Sequence, residues 1–150
     1  MPAVTVRRAL PSDLDGLLAL YDDLAEQPDH GPADRRTASS LLAQILADDA
    51  RQLTVAVIDA RPVGTADLLV VPNITHRGRP WAVVENVVVA RDARRGGVGR
   101  ELMRHLIDFA RSAGCYKLQL TSGKHRTEAH AFYRSLGMDA VAEGFKIYLD

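Results

Sequence analysis

The sequence predicts a mixed α/β (α+β) fold, one domain over 1–150 with the element order β-αα-βββ-α-β-α-ββ. Three observations carry this reading. Apolar residues recur at helical spacing over 14–25, 38–46 and 98–113. Between the second and third of these lie short runs rich in valine, 53–58, 63–71 and 81–89, separated by turn residues. The stretch 83–121 then reads strand, helix, strand, which implies a parallel pair joined by a right-handed crossover.

The elements follow in order. Val4-Thr5-Val6-Arg7-Arg8 reads as a short strand. Pro11-Ser12-Asp13 opens the first helix, with Ser12 as the expected N-cap and Asp15 in the capping-box position. Leu14, Leu17, Leu18, Tyr21, Leu24 and Ala25 form its apolar face. Residues 27–32 form a loop, and Ala38, Leu41, Leu42, Ile45 and Leu46 mark a second amphipathic helix. The runs 53–58 and 63–71 flank the turn Asp59-Ala60-Arg61-Pro62 as a hairpin. A polar loop, 72–80, leads to a third strand, Trp81–Val89, whose only polar members are Glu85 and Asn86. A long helix over 98–113 ends at Gly114, in the position after a helix that favours glycine. A strand at 117–121, a helix at 127–136 ended by Gly137, and a closing hairpin from 140–142 and 145–149 complete the order.

Composition narrows the function. The 150 residues carry 19 basic and 19 acidic side chains, and a neutral chain argues against a nucleic-acid partner. No apolar run approaches the roughly 18 residues of a membrane span, and the start lacks the layout of a signal peptide. The single cysteine, Cys115, excludes an internal disulfide and a cysteine-rich zinc site. Together these place the expected location in the cytoplasm. The five histidines show no metal spacing, so no metal ligands are assigned. Charge is unevenly spread: residues 1–50 hold four arginines against nine acids, while 51–150 hold 15 bases against 10 acids. A polyanionic ligand therefore belongs with the second part.

The chemistry concentrates where the third strand meets the long helix. Val83–Val89 runs into Ala90-Arg91-Asp92-Ala93 and then Arg94-Arg95-Gly96-Gly97-Val98-Gly99-Arg100. Glycines let backbone approach a ligand, and the first helical turn presents unpaired N–H groups and the positive end of the helix dipole. This makes a phosphate cradle. It is neither a P-loop, for lack of Gly-Lys-Ser/Thr, nor a dinucleotide fingerprint, for lack of a third glycine. Glu85 is the only acid between Asp67 and Asp92, in an otherwise apolar strand, where partial burial would make it a stronger base. Cys115 reads as a buried small hydrophobe.

Arg94-x-x-Gly97-x-Gly99 resembles the Arg/Gln-x-x-Gly-x-Gly/Ala motif of the GNAT superfamily of N-acetyltransferases. Ala129-His130-Ala131-Phe132-Tyr133-Arg134-Ser135-Leu136-Gly137-Met138 is similar to that family's penultimate helix with its Phe-Tyr-x-x-Leu-Gly-Phe ending. The element order fits across essentially the whole chain. Glu85-Asn86-Val87-Val88-Val89 and Gly114-Cys115-Tyr116-Lys117 resemble glucosamine-6-phosphate N-acetyltransferases, which usually carry Asp at the position of Asn86. Arg126-x-x-Ala129-His130-x-Phe132-Tyr133 also resembles aminoalkylphosphonate N-acetyltransferases. The segment 71–81 is similar to many uncharacterised bacterial members.

The resemblance implies acetyl-CoA as co-substrate and a primary amine, of a small molecule or a protein, as acceptor. It implies a splayed central parallel pair. Val87, Val88 and Val89 would face the pantetheine arm, and Arg94, Arg95, Gly96, Gly97, Val98, Gly99 and Arg100 the pyrophosphate. Arg126, Ala129 and Phe132 would complete the cofactor surface. It implies Glu85 as base, or as anchor for a cationic acceptor, and Tyr133 as general acid. A homodimer is also implied. A non-catalytic acyl-CoA-binding or sensory module on the same fold is the alternative.

Overall fold

Strand alternation fixes the sheet. In the computed structural model, which describes residues 2–150, β1 (Thr5–Arg8), β2 (Arg51–Ile58), β3 (Arg61–Val71), β4 (Trp81–Val89) and β5 (Leu118–Gln119) form one sheet in sequence order. The first four strands run antiparallel, and β4 pairs parallel to β5 across the helix α3 (Val98–Ser112). Helices α1 (Leu14–Leu24) and α2 (Arg35–Leu46) precede β2. The chain separates into two compact units after Gln119. All these elements belong to the first.

Each face of the sheet has its own apolar layer. Leu14, Leu17 and Leu42 from α1 and α2 pack with Leu53 and Val55 of β2. On the other face Val98 and Leu102 of α3 pack with Ala56 and Val63. Met103 and Leu106 add two fully buried side chains, as the apolar stripe read from the sequence requires. Helix α2 starts at Asp34, whose carboxylate accepts from the Thr37 amide at 3.0 Å.

Three expectations are corrected. The cap of the first helix is not Ser12. A short 3-10 turn, Pro11–Asp13, precedes α1, and the Asp13 carboxylate accepts from the Leu10 amide at 2.7 Å and from Arg7 Nη1 at 2.7 Å. An acid buried that deeply needs the arginine, and this fixes the helix start one residue later. The expected strand at 117–121 shortens to Leu118–Gln119.

The closing hairpin does not form. The second unit, described by itself, holds α4 (Thr127–Ser135), and residues 138–150 carry no helix or strand. Val141, Phe145, Ile147 and Leu149 stand 88%, 91%, 80% and 93% exposed. Their period-two spacing suits a strand, but no strand pairing forms for 138–150 among the described residues. Helix α4 ends with the Gly137 amide donating to the Arg134 carbonyl and the Met138 amide to that of Tyr133.

Gly16 inside α1 yields a prediction in which two effects oppose each other. Alanine there would gain about 1 kcal/mol of helix propensity. Its Cβ would sit 2.6 Å from Pro62 Cγ, part of a rigid ring. Overpacking of that kind costs about 1–3 kcal/mol, so Gly16→Ala should lower the melting temperature. The double variant Gly16→Ala/Pro62→Ala should recover it, as thermal unfolding would show.

Candidate active site

The site residues read from the sequence fall in both units. The first holds Glu85, Val87, Val88, Val89 and 94–100. The second holds Arg126, Ala129, Phe132 and Tyr133.

In the first unit the geometry starts with an extra residue in β4. Thr65 pairs with Val88 and Asp67 with Glu85, so two steps on β3 face three on β4. Asn86, at φ 54°, absorbs the surplus. Asparagine enters the left-handed region more readily than most residues. Such a bulge bends its strand and raises the local twist. Consistent with this, β4 pairs with β5 only at Ala82 and Val83.

Beyond Val83, β4 keeps its ladder with β3 alone. The Ala90 amide donates to the Val63 carbonyl, on the β3 side. Alternation therefore turns the amide and carbonyl of Val89 away from β3, toward the splayed side. The Val89 carbonyl accepts from Arg94 Nε at 3.0 Å, so Arg94 ties the strand end to the turn. Arg61 pairs with Asp92 at 2.9 Å beside it.

The turn itself is strained where glycine is required. Gly97 caps α3 at φ 82°, and nothing lies within 4 Å of a Cβ built there. Conformation, not crowding, excludes other residues. The first bond of the helix runs from the Glu101 amide to the Gly97 carbonyl. The amides of Val98 and Gly99 precede it, in the first turn where a helix supplies no backbone partner. Arg95, at φ 64°, and Gly96 are exposed beside them.

Glu85 is exposed, so the partial burial expected for it is not found. It lies where β4 has parted from β5, and neighbouring strand no longer covers it. It has no ion-pair partner among the described residues. Its cross-strand neighbour Asp67 is 5% exposed and is held by Arg51, whose Nε donates to both carboxylate oxygens at 3.1 Å. Two carboxylates on one rung repel, and Arg51 offsets one of them. Sequence reasoning missed Arg51 and Asp67 because a pair 16 residues apart leaves no local signal.

In the second unit Tyr133 is buried. Burial pushes its hydroxyl up, against the lowering effect of the Arg126 charge. A neutral, proton-bearing phenol results at neutral pH. Phe132 packs against it with ring centroids 5.4 Å apart. His130 Nε2 lies 2.8 Å from the Gly123 carbonyl, which pins the loop before α4. Cys115, in the first unit, is half-buried rather than buried. Burial raises its thiol, so it is a poor nucleophile. Among the described residues no group of three His, Cys, Asp or Glu side chains could hold a metal, and no helix is long and apolar enough to cross a membrane.

Tyr21, beside Asp67, gives a pH prediction. Burial first, then the Asp67 charge, push its hydroxyl from 10.0 up to about 12. The folded chain thus holds this proton more tightly than the unfolded chain. Its contribution is whole below pH 10 and is lost as pH rises toward 12. Urea unfolding should show wild type losing about 2 kcal/mol more than Tyr21→Phe across that window.

The family model for the acetyltransferase (GNAT) family matches residues 17–138. A glucosamine 6-phosphate N-acetyltransferase of Trypanosoma brucei brucei is 33% identical over 135 residues, which cover 86% of this chain and 84% of that protein. A solved Trypanosoma brucei acetyltransferase is 30% identical with a TM-score of 0.83, covering 98% of this chain and 100% of that one. A transcriptional regulator from Bacillus halodurans C-125 is 29% identical with a TM-score of 0.91, covering 98% and 100%. The chain belongs to the GNAT acetyltransferase family and is an N-acetyltransferase.

Proposed function

We propose that this N-acetyltransferase, as one domain over 1–150, moves the acetyl group of acetyl-CoA to a primary amine of a small acceptor by direct attack on the thioester. The observation that carries the reading is the open edge of β4 running into the left-handed Gly97 at the start of α3. The backbone of Val87 and Val89 suits an amide-bearing pantetheine arm, with the Val88 side chain in the wall behind. The amides of 95–100 suit a pyrophosphate, at the positive end of the helix dipole. Arg94 adds positive charge within the first unit; in the second unit Arg126, Ala129 and Phe132 are the residues proposed to contact the cofactor. This fits a co-substrate that carries both a peptide-like arm and phosphates.

The proton accounting assigns the side chains. Glu85 accepts a proton from the ammonium, directly or through water, and the free amine attacks the thioester carbonyl. The carbon–sulfur bond breaks as the adduct nitrogen sheds its second proton. The Tyr133 hydroxyl protonates the departing thiolate, that second amine proton restores the phenol through water, and Glu85 releases its proton to solvent. Relatives named glucosamine 6-phosphate N-acetyltransferases make that amino sugar phosphate the first acceptor to assay. A second copy of the chain is the proposed protein partner, supported by the exposed apolar residues of 141–149. Light scattering of the full chain measures it.

Gly97→Glu forces a side chain into a left-handed position and places a negative charge at the phosphate site. Calorimetry should show acetyl-CoA binding abolished while circular dichroism shows the fold kept. Unchanged affinity in the folded variant would remove the cradle.

Thiol release with an amine acceptor tests the chemistry. Glu85→Gln should lower turnover about 10²-fold near neutral pH, with a smaller loss at high pH where free amine forms unaided. Tyr133→Phe should lower turnover about 10²-fold with cofactor affinity kept. Loss confined to the acceptor's KM in Glu85→Gln would make Glu85 an anchor instead.

A further inference from the structure

We infer that the acceptor is an elongated amine with an anionic far end, and that Trp81 and Lys117 form the subsite for that end. This rests on the transfer reading above. Three alternate rungs of the β3–β4 ladder share the face of Glu85: Asp67 with Glu85, Leu69 with Val83, and Val71 with Trp81. The opposite face is sealed, with Leu68, Ala82 and Val84 at 0%, 0% and 2% exposed. On the Glu85 face Leu69 is exposed, and Val71, Trp81 and Val83 are half-buried. An apolar strip thus leads away from the carboxylate along the sheet.

The strip ends in positive charge. Lys117 Nζ stands 5.8 Å from the centre of the Trp81 ring and 5.5 Å from that of Tyr116. A cation over aromatic faces is held in place without a counter-ion. The segment carrying Lys117 is fixed in turn. His76 stacks on Tyr116 with centroids 3.7 Å apart, and Arg79 donates to the carbonyls of Gly114 and Cys115 at 3.3 and 3.2 Å. His76, Arg77 and Gly78 hold φ of 52°, 59° and 78° in succession, a costly backbone run for a plain connection. The loop 72–80 contains no acid.

The face therefore reads negative, apolar, positive. Its complement carries an ammonium, a flat apolar body and an anion. Four residues of extended β4 separate Glu85 from Trp81, about 13 Å at strand rise. That exceeds the amine-to-phosphate span of a hexosamine 6-phosphate, and it selects a longer acceptor.

Thiol release by the full chain with acetyl-CoA tests this. The probes are ω-aminoalkyl carboxylates of increasing length, n-alkylamines of matching length, and glucosamine 6-phosphate. The expected result is kcat/KM rising with length to an optimum among the carboxylates, above the matched neutral amine and above glucosamine 6-phosphate. Lys117→Met should cut the carboxylate-over-alkylamine ratio about 10-fold, the scale of one charged hydrogen bond. Lys117→Arg should restore most of it. Trp81→Leu should lower kcat/KM for both long series. Transfer that ignores chain length, or a ratio unchanged in Lys117→Met, overturns this inference and leaves the transfer reading standing. No thiol release with any probe overturns both.

Discussion

Backbone amides and carbonyls must find partners, and in this chain one strand leaves that requirement open. β4 is bonded to β3 along its length, while its other edge is bonded to β5 only at Ala82 and Val83. An apolar strand with half its polar backbone unmatched is costly unless water or a ligand meets it. The arrangement around it depends on that gap. The helix α3 begins where β4 ends, and Arg94 takes the last carbonyl, that of Val89. The groove proposed for the co-substrate is an unfinished part of the sheet.

The acid on that strand sits in a solvated setting, unlike a buried carboxylate. Glu85 is exposed, and its rung partner Asp67 is buried and matched by Arg51. The arrangement leaves one uncompensated negative charge at the open end of the sheet face, which attracts a cation before any proton moves. Tyr133 shows the opposite logic, since burial keeps its hydroxyl neutral and able to give up a proton. The two side chains proposed for proton transfer thus differ in solvation, Glu85 exposed and Tyr133 buried.

Much of this was legible in the sequence. Strands β2 to β4, the stripe of α3 and the glycine turn at 94–100 follow from periodicity and from the special backbone needs of glycine. The solvation of Glu85 was not legible, because it depends on whether β5 continues alongside, and that is a matter of partner rather than pattern. The Arg51–Asp67 pair was hidden by its separation along the chain. The tail shows the converse failure. Phe145, Ile147 and Leu149 alternate as a strand should, yet alternation describes a propensity, and pairing needs a neighbour the pattern does not supply.

Residue count, rather than residue identity, governs the splay. Because Asn86 is surplus to the ladder, Glu85 and Val88 lie on the same face although they are three positions apart. A chain lacking residue 86 would still set Val88 opposite Thr65 and Glu85 opposite Asp67, now in a regular ladder. Every side chain would keep its inward or outward assignment, and the core would have no reason to complain. What would vanish is the bend. In an evolutionary sense the core and the bend are separable by a single codon: losing residue 86 keeps the face of every side chain and removes the extra residue that bends β4. Insertions and deletions at this point of β4 therefore deserve to be read as changes of function among relatives, where elsewhere in the chain they would be read as changes of loop length.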